Sequence, residues 1–170
     1  MGIPVLIMGK SGSGKSRSMK HCVGKDFGLI RVLNKPLPFR GKIPGSTCSD
    51  YGKIKAAVKS PNWPKSIVID DAGYLITGQF MDGHNTTGKG NAVFSLYNQL
   101  ADDFYRLIRA IADEAPPDRI VYVIMHEDVN EYGDVKPKTI GKLLDEKVCL
   151  EGMWPKIVAA SEPPCRRRSS

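Results

Sequence analysis

The stretch "GKSGSGKS", residues 9–16, has the residue types and spacing that hold phosphate. It fits G-x-x-x-x-G-K-[ST], with Gly9, Gly14, Lys15 and Ser16 at the fixed positions. Glycines let successive backbone N–H groups turn inward around phosphate oxygens with no Cβ in the way. Lys15 has the reach to bring an ammonium to the β- and γ-phosphates of a nucleoside triphosphate, and the Ser16 hydroxyl suits Mg²⁺. The rest of the loop, Lys10, Ser11, Gly12 and Ser13, and Arg17 just beyond it, are expected to border the same phosphates. The expected cofactors are therefore ATP and Mg²⁺.

A second piece is "SIVIDDAGYL", an apolar run that ends abruptly in Asp70 and Asp71. In a parallel sheet such a strand delivers its carboxylates to the same carboxyl-end crevice as the phosphate loop. Asp70 is the expected Mg²⁺ partner, acting through water, because magnesium keeps most of its waters. Asp71 is placed to position or activate an attacking water, with an arm one methylene shorter than a glutamate. "VYVIMHED" ends in His126 and Glu127, which would face the same crevice. A neutral imidazole at His126 can sense a terminal phosphate or hold water, and Glu127 competes as the activating carboxylate. The catalytic candidates are thus Lys15, Asp71, Glu127 and His126, with the handling of water open among the last three.

These groups need elements to position them. Residues 3–8 read as a short buried parallel strand, and 13–23 as the helix after it. "FGLIRVLN" is a second strand, closed by the rigid turn "KPLPFRG". "SDYGKIKAAVKS" has a helix start at Ser49 or Asp50, and "KSIVIDD" is the next strand. "GQFMDGHNTTGKGN" reads as a polar, glycine-rich loop. A long amphipathic helix follows, with Phe94, Tyr97, Leu100, Phe104, Leu107, Ile108 and Ile111 at helical spacing before Pro116 and Pro117 stop it. "RIVYVIMHED" is a strand, "VNEYGDVKPK" a loop or hairpin, "TIGKLLDEK" a short helix and "MWPKIVAA" a last strand. Strands alternating with helices predict an α/β fold with a mainly parallel sheet, helices on both sides and three layers. Residues 1–160 make one domain, and 161–170 read as a disordered basic tail.

The chain has 170 residues, enough for one real core. Its net charge is +7, three units of which come from Arg166, Arg167 and Arg168. The remainder permits an anionic partner without demanding one. Four scattered cysteines have neither metal-ligand spacing nor an oxidising context. With no apolar run of membrane-spanning length and no signal peptide, a cytoplasmic protein is expected.

Taken together, "GKSGSGKS", "NKPLPFRG", "IVIDDAGYL" and "KPKTIGKLLDEKVCLEGMW" resemble the phage AAA-domain nucleotide-binding proteins, over nearly all of residues 3–160. The phosphate loop is shared by many unrelated proteins; "KPLPFRG" and "KTIGKLLDEK" are far more specific. The resemblance implies a RecA-like P-loop NTPase fold, ATP hydrolysis, and single-stranded DNA as partner in phage recombination or annealing, in the host cytoplasm. It carries over the phosphate loop, Asp70, and His126 as the polar end of its strand. Members of that family are expected to continue with further strands after "MWPKIV", where this chain runs into "PPCRRRSS".

Two loops are candidates for DNA. One holds Lys89; the other holds Tyr132, Lys136, Lys138 and Lys142. Lysines contact phosphates and an aromatic ring stacks on a base. RecA-like ATPases assemble into rings or filaments, so a homo-oligomer is expected. Two other functions compete: a small-molecule or nucleoside kinase, which would need an arginine-rich lid, and a non-hydrolysing nucleotide-dependent assembly switch.

Overall fold

The computed structural model describes residues 1–85, 88, 91–130, 132–140 and 151–160. Among the described residues seven strands form: β1 (Ile3–Gly9), β2 (Phe27–Arg31), β3 (Gly45–Thr47), β4 (Ser66–Asp70), β5 (Ile120–Val129), β6 (Val135–Pro137) and β7 (Lys156–Ala159). The helices are α1 (Lys15–Ser18), α2 (Tyr51–Lys59), α3 (Gly73–Gly83) and α4 (Asn91–Glu114). The sheet order is β3-β2-β4-β5-β1-β7, every neighbouring pair in it parallel, with β6 antiparallel on the end of β5. This is an α/β fold with a mostly parallel sheet flanked by helices, as the alternation of apolar runs predicted.

The central strands are apolar on both faces because both faces are covered. On one side Leu6, Ile67, Ile69, Val121, Val123 and Met125 pack with the buried faces of α2, α3 and α4. On the other, Leu29, Val68 and Ile124 meet Met19 and the segment carrying Leu37, Phe39 and Ile43. Helix α4 turns Leu100, Phe104, Leu107, Ile108 and Ile111 inward, each at most 1% exposed. Arg106 and Arg109, on its outer face, pair with Asp102 and Asp113 one turn away. Helix α2 starts where expected: the Asp50 carboxylate accepts from the Lys53 N–H at 2.7 Å, an N-cap.

Three expectations are corrected. The helix after the phosphate loop begins two residues late, at Lys15, and tightens into a 3₁₀ turn over Met19–Cys22. Ser18 Oγ donates to the Lys15 carbonyl at 2.6 Å, a back-bond that competes with the α-helical ladder. The first six residues of "GQFMDGHNTTGKGN" are helix, not loop, because α3 runs through Gly78 and Gly83 and is held by packing on α4. The short strand β3 forms where no strand is expected, whereas β6 pairs antiparallel with β5 and makes "VNEYGDVKPK" the hairpin of the two alternatives. Residues 141–147 of the expected helix in "TIGKLLDEK" (139–147) and the tail 161–170 lie outside the described residues, as do Lys89 and Lys142. No helix among the described residues is long and apolar enough to cross a membrane.

Candidate phosphate-binding site

All strands but β6 run the same way, so their carboxyl ends open on one edge. The loop after β1, the segment after β2, the acids ending β4 and the polar end of β5 meet there around a cavity of about 450 Å³. A larger groove of about 710 Å³, between β3 and α2, holds no comparable set of reactive groups.

Gly12 and Gly14 adopt φ of +85° and +90°, conformations that a side chain disfavours, and they curl the loop between β1 and α1. Ser13 and Lys15 are buried inside that curl. Lys15 Nζ donates to the carbonyls of Gly9 and Lys10, both at 2.5 Å, and to Ser13 Oγ at 3.3 Å. Its ammonium therefore rests on neutral acceptors. Burial pushes the Lys15 amine below its usual range, against the opposing pull of Glu127, Asp71 and Asp70. Among the described residues the buried polar or charged side chains are Ser13, Lys15, Asp70 and Arg119. Three of these four belong to this site. The fourth is structural: Arg119 donates to the carbonyls of Val58, Ser60 and Trp63 and ties the end of α2 to the sheet. Ser11, Gly12 and Arg17 are exposed at the mouth, Lys10 is exposed but does not line the cavity, and Gly14 and Ser16 are half-buried.

Ser16 Oγ donates to Asp70 Oδ1 at 3.0 Å, across 54 positions of sequence. Burial pushes the Asp70 carboxyl up; the Ser16 hydroxyl and Lys35 oppose that, and the Asp71 charge adds to it. Among the described residues no group of three or more His, Cys, Asp or Glu side chains is disposed to hold a metal alone. One hydroxyl beside one carboxylate fits Mg²⁺, which takes few protein ligands and leaves the rest to phosphate and water.

Asp71 turns the chain from β4 into α3 with φ +59°. This left-handed conformation costs a non-glycine residue about 1–2 kcal/mol, although aspartate tolerates it better than most. One carboxylate oxygen, Oδ2, accepts from Lys35 Nζ at 2.8 Å; the other lies 3.6 Å from His126 Nε2. The His126 ring also meets the edge of Tyr74, with centroids 6.2 Å apart. Burial holds the His126 imidazole below its usual range, helped by Lys15, Lys35 and Lys138 and opposed by Asp71. Glu127 follows His126 on β5, so its side chain leaves from the opposite face of the strand. It does not line the cavity, though its charge still reaches Lys15.

Lys35, Arg31 and Tyr74 line this cavity and were not singled out from the sequence. The available signal was "NKPLPFRG" itself, a proline-stiffened segment directly after a strand. Beside the cavity, β5 and β6 form a hairpin. Asn130 Oδ1 accepts from the N–H groups of Tyr132 and Asp134 at 2.9 and 2.8 Å, shaping the turn. Tyr132 stands at its tip, 89% exposed. Lys136 lies within β6 and Lys138 just past it, where its N–H donates to the His126 carbonyl at 2.7 Å. The sequence matches no family model, and comparison with curated proteins finds no match.

Proposed function

We propose that this chain is a P-loop ATPase with a RecA-like core that hydrolyses ATP with Mg²⁺ and acts on single-stranded DNA in phage-type recombination or annealing. The observation that carries the nucleotide reading is the Ser16–Asp70 hydrogen bond beside the coiled loop 9–16. Two distant motifs meet in the pairing that a nucleotide-bound magnesium requires. The RecA-like assignment is supported by the strand order, in which β5 lies between the phosphate-loop strand and the acidic strand and brings His126 between them.

In this reading the backbone N–H groups of residues 9–16 bind the β- and γ-phosphates. Lys15 exchanges its carbonyl contacts for phosphate oxygens, which restores a charged partner to a buried ammonium. Ser16 would hold Mg²⁺ directly and Asp70 through water; the ion, when bound, neutralises charge on the transferring phosphoryl group. Asp71 and His126 orient the attacking water, with Glu127 contributing charge from the far face of β5. Water's oxygen bonds to the γ-phosphorus as the bond to the leaving β-phosphate oxygen breaks. The products are ADP, inorganic phosphate and a proton. Such chemistry asks mainly for positioning and charge stabilisation.

The DNA part rests on the resemblance in sequence and on the hairpin. An exposed Tyr132 flanked by exposed Val129 and Val135 suits base stacking, with Lys136 and Lys138 nearby for phosphates. A homo-oligomer follows from the same resemblance. A second reading, a non-hydrolysing assembly switch, is favoured by one feature: Asp71 is short and already engaged by Lys35.

Phosphate release by the purified protein, with and without a single-stranded oligonucleotide, separates these readings. The expected result is DNA-stimulated release that Lys15→Ala abolishes. Near-normal turnover in Lys15→Ala would sink the site assignment, and ATP binding without release under either condition would favour the switch.

A further inference from the structure

Among the described residues, Lys35 and Arg31 are lysine or arginine side chains that line this cavity from outside the phosphate loop, and Lys35 already holds a catalytic candidate, Asp71. Its backbone is fixed: Arg31 Nη1 donates to the Lys35 carbonyl at 3.1 Å, and Pro36 and Pro38 restrict the chain that follows. Its side chain is not fixed to the same degree, being 55% exposed, with Nζ 5.1 Å from the Tyr74 ring centroid. The segment 35–38 and the phosphate loop line the same cavity. Asp71, by contrast, has Oδ2 held by Lys35 at 2.8 Å, while Oδ1 lies 3.6 Å from His126 Nε2, beyond hydrogen-bond distance. While Lys35 holds Oδ2, a water molecule must compete with the ammonium for that oxygen.

We infer that Lys35 is a ligand for the terminal phosphate of a nucleoside triphosphate, and that its ion pair with Asp71 is the resting contact which that phosphate displaces. The inference rests on the nucleotide reading above. Lys35 is 55% exposed, so its ammonium can leave Asp71 for solvent without a desolvation penalty of its own. A terminal phosphate offers the ammonium more negative charge and more acceptor oxygens than one carboxylate. Once Lys35 moves, Asp71 keeps its strained backbone position but has one oxygen free for water. A diphosphate has no oxygen at that place and leaves the Lys35–Asp71 pair intact. Lys35 thereby distinguishes substrate from product, and it couples arrival of the reacting group to release of the residue that orients the nucleophile.

The test is calorimetric titration of the full chain in Mg²⁺ with ADP and with a β,γ-imido analogue of ATP, for wild type, Lys35→Gln and Lys35→Arg. Wild type is expected to bind the triphosphate analogue more tightly than ADP. Lys35→Gln should weaken the analogue roughly tenfold, the scale of one charge-assisted hydrogen bond, and leave ADP within about twofold. Lys35→Arg should keep most of the preference. An unchanged analogue-to-ADP ratio in Lys35→Gln, or an equal loss for both ligands, overturns the inference while leaving the nucleotide site standing. Binding of neither ligand by a folded wild type removes both readings.

Discussion

At the scale of single residues, the site is defined by polar groups held where burial works against them. Lys15 and Asp70 are both buried, and each is pushed toward its neutral form. His126 shows the consequence most simply. Burial and three lysines lower its imidazole from the ordinary value of 6.5, so near that value the unfolded chain binds more protons than the folded one. Stability from this residue is fully present above about pH 6.5 and is lost as pH falls toward the lowered folded value. Wild type should therefore lose more melting temperature than His126→Gln between about pH 7.5 and about pH 5.5. A difference between the two proteins that stays constant over that range would mean that His126 is not held neutral by its surroundings.

At the scale of elements, the parts that hold the site differ in how legible they were. β1, β2, β4 and β5 are continuous apolar runs because both of their faces are covered, and the sequence carries that directly. α4 was legible because its buried positions, from Leu100 to Ile111, repeat at helical spacing within a 24-residue helix. β3 has three exposed residues and no apolar period to read. The part of α3 containing Gly78 and Gly83 resembles a loop by composition; only packing against α4 makes it helical, and local propensity does not report that contact. The phosphate loop and the acids were legible as motifs. Lys35 was not, since its role depends on the segment after β2 folding across to Asp71. Helix α2 offers a local check. Its N-cap is an exposed hydrogen bond between Asp50 and the Lys53 N–H, so Asp50→Ala should cost about 1 kcal/mol in denaturant unfolding. A change near zero would show that packing of Ile54 and Val58 alone sets the helix start.

At the scale of the whole molecule, the parallel sheet gathers every candidate group at one edge. The loop after β1, Lys35 after β2, the acids ending β4 and His126 on β5 have no common neighbourhood in sequence. Each of their connections begins at the carboxyl end of a strand, so a ligand bound there touches four separate parts of the chain at once. Such a ligand binds the folded state and not the unfolded one, so it must raise the unfolding temperature of the entire domain. At about one hundred times its dissociation constant a ligand contributes about 2.7 kcal/mol. For a chain of this size each kcal/mol moves the melting temperature by roughly 2–4 °C, giving a shift of roughly 5–10 °C. ADP or a non-hydrolysable ATP analogue with Mg²⁺ should produce that shift in a thermal melt. On the proposed reading, chelating the Mg²⁺ should reduce it, because Ser16 and Asp70 would then be without the ion they are proposed to hold. Lys15→Ala should remove most of it, whereas Asp50→Ala, at a residue that does not line the cavity, should melt earlier and shift by the same amount as wild type. A shift equal in Lys15→Ala and wild type would mean that nucleotide stabilises the fold from some other surface.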